Sequence, residues 1–137
     1  PIKNILEIGT FDGKTAHILS KFFEDANILT IDLPATDSDF ESTYARHGLR
    51  QVFVENRNKN LSNKRIKFIE TNSIALANSE EKFDLIWVDG AHGYPVVSMD
   101  IINSYRLCST FNLFKKYCFL ALKSLTDGKV VTDGFVI

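Results

Sequence analysis

Four short apolar runs set the frame for this chain: NILEI (4–8), NILTI (27–31), IKFIE (66–70) and FDLIWVD (83–89). Each is shorter than an ordinary helix and too continuous for a sheet with one wet face. Runs of this kind form strands covered on both sides. The segments between them have helical character. In KTAHILSKFF (14–23), Ala16, Leu19, Phe22 and Phe23 recur at helical spacing. SDFESTYARHGLRQVFVENRNKN (38–60) is polar and helical in parts, with a break near Gly48. SIALAN (73–78) is a short helix. PVVSMDIINSYRL (95–107) is a helix with Pro95 at its first turn, where proline is tolerated. STFNLFKKY (109–117) is a further helix candidate. Strands alternating with helices imply right-handed crossovers and a parallel sheet. The expected fold class is therefore α/β, with a doubly wound, mostly parallel sheet. YCFLALKSL, TDGK and VVTDGFVI (117–137) read as strand, turn and strand, with Asp127-Gly128 as a good hairpin turn. The sheet is thus expected to end in a C-terminal antiparallel hairpin.

The first run leads into EIGTFDGKT (7–15), which looks at first like a phosphate loop. A phosphate loop has four residues between its glycines. Gly9 and Gly13 enclose three: Thr10, Phe11 and Asp12. The shorter gap redirects the N–H groups that would converge on the anion, and Asp12 would set a carboxylate beside it. The segment reads better as a tight strand-to-helix turn. Gly9 lets a ligand or another backbone come close. Gly13 lets the helix start close to the strand. Glu7 places a carboxylate where a cationic ligand could be held.

In doubly wound sheets, ligands bind beyond the carboxyl ends of the strands, where strand order reverses. Every strand end here carries polar residues. The second ends at Asp32, about 20 residues past the glycine loop, the place where an acid takes ribose hydroxyls. The third offers Asn72 and Ser73. The fourth, VDGAHGY (88–94), offers Asp89, His92 and Tyr94. Plainer readings exist. Asp32 could start a turn before Pro34, Asn72 and Ser73 could cap a helix, Asp89-Gly90 could be a turn pair, and His92 could be structural. Trp87 reads as core, and His17 and His47 receive no role.

A chain of 137 residues is expected to be one domain, and 45% apolar residues suffice for a core. No run of about 18 apolar residues suggests a transmembrane helix, and PIKNILEIG (1–9) does not resemble a signal peptide. The absence of an initiator Met fits a processed or partial product. A net charge of −1 argues against a nucleic-acid binder. Cys108 and Cys118 match no zinc or disulfide framework and read as buried reduced thiols. The expected setting is cytoplasmic, without membrane or nucleic-acid partners.

Taken together, ILEIGTFDGKTAHIL, LTIDLP, IKFIETNSIAL and FDLIWVDGAHGY resemble successive motifs of class I S-adenosylmethionine (SAM)-dependent methyltransferases. The Asp-Gly-x-His-x-Tyr element is similar to a subgroup that includes small-molecule and sugar O-methyltransferases. The resemblance covers almost the whole chain and implies a Rossmann-like fold. It implies that Glu7, Gly9, Phe11 and Gly13 surround the methionine part of SAM. Asp32 would hold the ribose, and Asn72 and Ser73 would lie near the adenine. The family often has Asp at the position of Asn72. The implied activity is O-methylation of a small hydroxylated acceptor. His92 is the candidate base, because imidazole titrates near neutral pH. Asp89 would orient His92 or bind Mg²⁺. That family also has a turn and a fifth strand after the helix that ends near Leu107. Here Cys108 runs straight into STFNLF, so the fifth strand is expected to be missing, with a segment absent near 106–110. The alternative is a non-catalytic methyltransferase-like domain used for binding or assembly. A nicotinamide-dinucleotide fold is disfavoured, because Gly9-Thr10-Phe11 lacks the middle glycine of G-x-G-x-x-G. The PATDSDFESTYARHG insert (34–48) is expected to shape an acceptor pocket or the surface of a homo-oligomer.

Overall fold

The computed structural model describes residues 1–44, 49–91, 93–109, 119–126 and 129–136, with residues 43, 44 and the last two stretches described as backbone alone. The strands are β1 (Asn4–Ile8), β2 (Asn27–Asp32), β3 (Ile66–Glu70), β4 (Leu85–Val88), β5 (Phe119–Thr126) and β6 (Lys129–Val136). The helices are α1 (Lys14–Phe22), α2 (Ser38–Tyr44), α3 (Arg50–Asn60) and α4 (Val96–Leu107). A short 3-10 helix, Ser73–Asn78, joins β3 to β4. All six strands form one sheet in the order β3-β2-β1-β4-β5-β6. The β1–β5 strands run parallel, and β6 is antiparallel to β5.

The four apolar runs become β1 to β4 because each can bury both faces. Every residue of β1 after Asn4 is buried. Leu6 and Ile8 pack on one face with Ile31, Ile86, Val88 and Leu107. Ile5 packs on the other with Ala16, Leu19, Ile28 and Leu85. Full burial of one such aliphatic side chain contributes about 2 kcal/mol. Phe22 does not join its predicted face. It is 78% exposed, and Ile18, one turn earlier, is also exposed. Helix α1 ends at Phe22, and Phe23 packs on the core instead. Arg65 closes that helix end by donating to the carbonyls of Ser20, Phe23 and Ala26. Unpaired C-terminal carbonyls attract such a cation.

The place beside β4, expected to be vacant, is taken by β5, with Leu85 opposite Phe119 and Val88 opposite Leu122. The segment 119–126 is therefore the fifth parallel strand as well as the partner of β6. The predicted hairpin residues Asp127 and Gly128, and the predicted helix beyond Ser109, lie outside the described residues. Helix α4 leads into an isolated bridge between Cys108 and Phe83, and the Ser109 N–H donates to the Phe83 carbonyl at 2.8 Å. Cys108 is disulfide-bonded, not the reduced thiol expected.

Gly9 has φ 99°, and a Cβ there would lie 2.2 Å from the Asp89 carbonyl oxygen. Strain and overlap act together at this position. Gly9→Ala is expected to destabilise the fold by about 2–4 kcal/mol, read from urea melts. A loss under about 0.5 kcal/mol, the level of an ordinary surface change, would contradict this close approach.

Candidate functional site

The chain leaves β1 toward β2 on one side, while β4 lies on the other. This is the switch point at which open α/β sheets hold ligands. A cleft of about 220 Å³ opens there, at the carboxyl ends of β1 to β4. Its walls include Gly9, Asp32, Asn72, Ser73 and Asp100. Four of the predicted site residues are therefore brought together.

Asp32 ends β2 and is tied to the glycine loop. One carboxylate oxygen accepts from the Phe11 N–H at 2.6 Å, and the other from the Leu33 N–H at 2.8 Å. Burial raises its pKa above the usual carboxylate value, and these N–H groups and the Arg57 charge pull it partly back. Each oxygen still has room for another donor. Asn72 does cap the 3-10 helix, its side-chain oxygen accepting from the Ile74 N–H at 3.0 Å.

The glycine loop wraps the rim. The Gly9 and Thr10 N–H groups both point to the Ile31 carbonyl, at 2.9 and 3.3 Å. Phe11 has φ 45°, a left-handed conformation that costs a non-glycine residue about 1–2 kcal/mol. Its bond to Asp32 holds it there, as does packing of its ring on Phe53 and Phe40, with centroids 5.2 and 6.3 Å away. The Phe11 ring thus faces α2 and α3, outside the cleft lining. It lines a larger hollow of about 470 Å³ between the loop and α3. That hollow contains none of the residues at the ends of β2, β3 and β4, so the smaller cleft is the better candidate. Lys14 pairs with Asp12 at 2.6 Å, which is not how a phosphate-loop lysine is used. Gly13, at φ 75°, starts α1 against Leu61.

Glu7 is fully buried and is not part of the cleft lining. Alternation along β1 puts it on the same face as Ile5, beneath α1. It accepts from the Thr30 hydroxyl, which also bonds the Thr10 hydroxyl at 2.6 Å. Among the described residues, its second oxygen and the indole N–H of its register neighbour Trp87 have no hydrogen-bond partner. Burial, chiefly, pushes its pKa to about 8; the Thr30 bond lowers it, and the Asp89, Asp32 and Asp12 charges raise it. Asp89 is half-buried just past β4, with its N–H donating to the Ile8 carbonyl at 2.7 Å. His92 lies outside the described residues. No group of three or more His, Cys, Asp or Glu that could hold a metal occurs among the described residues.

Asp100 was not anticipated. It sits on α4, is 1% exposed, and forms part of the cleft wall. Among the described residues, neither of its carboxylate oxygens has a hydrogen-bond partner of good geometry. Burial raises its pKa, and the neighbouring Ser73 hydroxyl offsets part of that rise. The available signal was a single carboxylate inside the apolar stretch VVSMDII (96–102).

The Glu7 environment has a pH signature. An acid whose folded pKa is raised stabilises the fold fully below its unfolded pKa and loses that contribution as pH rises through the folded value. For Glu7 the window runs from about 4.5 to about 8. Stability to urea is expected to fall across that window, and Glu7→Gln should flatten the fall. A Glu7→Gln profile parallel to that of the wild type would contradict this assignment.

The fold is shared widely. A precorrin-6y C5,15-methyltransferase from Geobacter metallireducens aligns with a TM-score of 0.64 at 11% identity, over 92% of this chain and 55% of that one. An O-methyltransferase family protein from Burkholderia thailandensis aligns with a TM-score of 0.56 at 13% identity, over 92% and 34%. Spermidine synthase from Thermotoga maritima aligns with a TM-score of 0.58 at 17% identity, over 89% and 36%. The chain spans between a third and just over half of these structures, and at such identities the likeness shows the fold alone. No curated protein matches the sequence. The model of one family, described as Methyltransferase domain, matches residues 6–110. That match takes in the glycine loop, all four strand ends of the cleft and α4, and the chain belongs to this methyltransferase-domain family.

Proposed function

We propose that the chain binds SAM in the cleft at the ends of β1 to β4 and methylates a hydroxyl of a small acceptor. The observation that carries this reading is the convergence of Gly9, Asp32, Asn72 and Ser73 on one cleft at the switch point. The residues fit the ligand. Among the described residues the cleft presents carboxylates and an amide but no lysine or arginine side chain, which suits a cationic, hydroxyl-rich molecule better than a polyphosphate.

SAM, when bound, supplies a methyl group already activated on a sulfonium. The work left to the protein is alignment, shielding from water and removal of one proton. Gly9 seats the loop against the end of β4, and Asp32 accepts from the ribose hydroxyls. Asp32 is suited to this because two backbone N–H groups fix its carboxylate before any ligand arrives. His92 takes the acceptor proton, and Asp89, three residues earlier at the end of β4, orients it. The described donor set around Asp89 does not fit a divalent ion, so no step is assigned to Mg²⁺. O-methyltransferases among the similar structures support hydroxyl chemistry by fold analogy alone.

Calorimetric titration of the chain with SAM is the test. Saturable binding at micromolar levels is expected. Asp32→Ala should weaken it about tenfold or more, the cost of losing a charge-assisted bond. Unchanged affinity in a folded Asp32→Ala chain would remove that role. Absence of binding to the folded wild type would favour the non-catalytic reading.

A further inference from the structure

Glu7 is fully buried and outside the cleft lining, yet it lies close beneath the cleft. Two cleft residues follow it closely in the sheet. Gly9 is two residues further along the chain, and Asp32 is two residues past Thr30, the register partner of Glu7. At the rise of an extended strand each separation is about 7 Å.

The surroundings of Glu7 favour the neutral carboxyl. Among the described residues it has one donor, the Thr30 hydroxyl, and its second oxygen has none. Strand β2 sets Asp32 nearby, β4 sets Trp87 beside it and Asp89 beyond, and the glycine loop sets Asp12. Helix α1 packs over this face with Ala16 and Leu19, while its Lys14 is drawn to Asp12 and its His17 to the Asn60 carbonyl. Burial and three like charges all oppose ionisation. A hydrogen-bond chain leads from this carboxyl to the loop. The Thr30 hydroxyl bonds Glu7 on one side and the Thr10 hydroxyl on the other, at 2.6 Å for the latter. Thr10 directly precedes Phe11, whose N–H holds Asp32.

A cation in the cleft changes this balance. One positive charge within about 10 Å of a buried carboxyl favours its ionised form by about tenfold. SAM carries such a charge on its sulfonium, and S-adenosylhomocysteine carries a neutral thioether in its place.

We propose that Glu7 is neutral in the unliganded chain, releases its proton when the sulfonium ligand binds, and regains one after methyl transfer, so that the cleft prefers the methyl donor to the spent product; this rests on the cofactor reading above. The proton passes to solvent by way of the Thr30 and Thr10 hydroxyls, and no bond of the ligand changes in this exchange. Glu7 touches neither the ligand nor the reacting atoms. It sets specificity by its charge at a distance.

The test is calorimetric titration of the full chain and of Glu7→Gln with SAM and with S-adenosylhomocysteine, at about pH 6 and about pH 8.5, on either side of the release. In the wild type the preference for SAM is expected to be about fivefold to tenfold larger at the higher pH than in Glu7→Gln. The ligands' own ammonium groups titrate against both chains alike, so the comparison isolates Glu7. An equal pH change in the two chains overturns the proposal; SAM still binds in that case, so the cofactor reading survives. Absence of binding of either ligand to the folded wild type overturns both. If Glu7→Gln fails to fold, the wild type decides by itself. Titrated near pH 7 in two buffers of different ionisation heat, it must release more protons per SAM than per S-adenosylhomocysteine bound, and equal release overturns the proposal.

Discussion

The fold depends on how closely Gly9 approaches the backbone of Asp89. Only a hydrogen separates them, because a Cβ at Gly9 would overlap the Asp89 carbonyl. That contact joins the ends of β1 and β4 where the sheet changes direction. It also starts the turn that sends two N–H groups to the Ile31 carbonyl and the Phe11 N–H to Asp32. Gly13 completes the turn by fitting α1 against Leu61. The cleft is the space this turn leaves at the strand ends. Its geometry depends on two glycines and one strained Phe11.

Around that turn the protein holds more buried acid than stability alone would favour. Glu7 lies beneath it, Asp32 at its rim and Asp100 across the cleft, and burial raises the pKa of all three. They differ in what offsets the cost. Glu7 is largely neutral near pH 7 and keeps one bond from Thr30. Asp32 has two backbone donors. Asp100 has none of good geometry. A similar balance holds at Arg57, a buried cation that reaches Glu70 at 3.1 Å and stacks over Phe68 at 4.5 Å. Buried charge is retained where a partner or a ligand compensates it. Asp100 has only the neighbouring Ser73 hydroxyl to offset its burial among the described residues.

The strands were legible because burial on both faces demands continuous apolar runs, and NILEI, NILTI, IKFIE and FDLIWVD are such runs. Asp32 was legible from its distance past Gly9. Asn72 was legible as a cap, and the cap is real. Other features were not. YCFLALKSL reads as a strand, but nothing local says whether it lies beside β4 or pairs with β6 alone; it does both. Phe11 and Glu7 were set beside the methionine part of SAM by the family resemblance, which carries no information on side-chain direction. Their side chains point elsewhere, Phe11 to Phe53 and Glu7 to Thr30. Asp100 is the single carboxylate of α4, and its burial depends on which side of that helix meets the sheet.

Local sequence was enough for the order and type of the main elements, the turn after β1 and the acidic end of β2. These depend on residues close together in the chain, through apolar periodicity and the backbone freedom of glycine. Which carboxylates face the cleft was settled by packing in three dimensions. It buried Glu7 under α1, fixed Asp32 against the Phe11 N–H and turned Asp100 inward on the same helix that brings Leu107 into the core. The orientation of a side chain depends on contacts between elements far apart in sequence, and no local pattern carries that information.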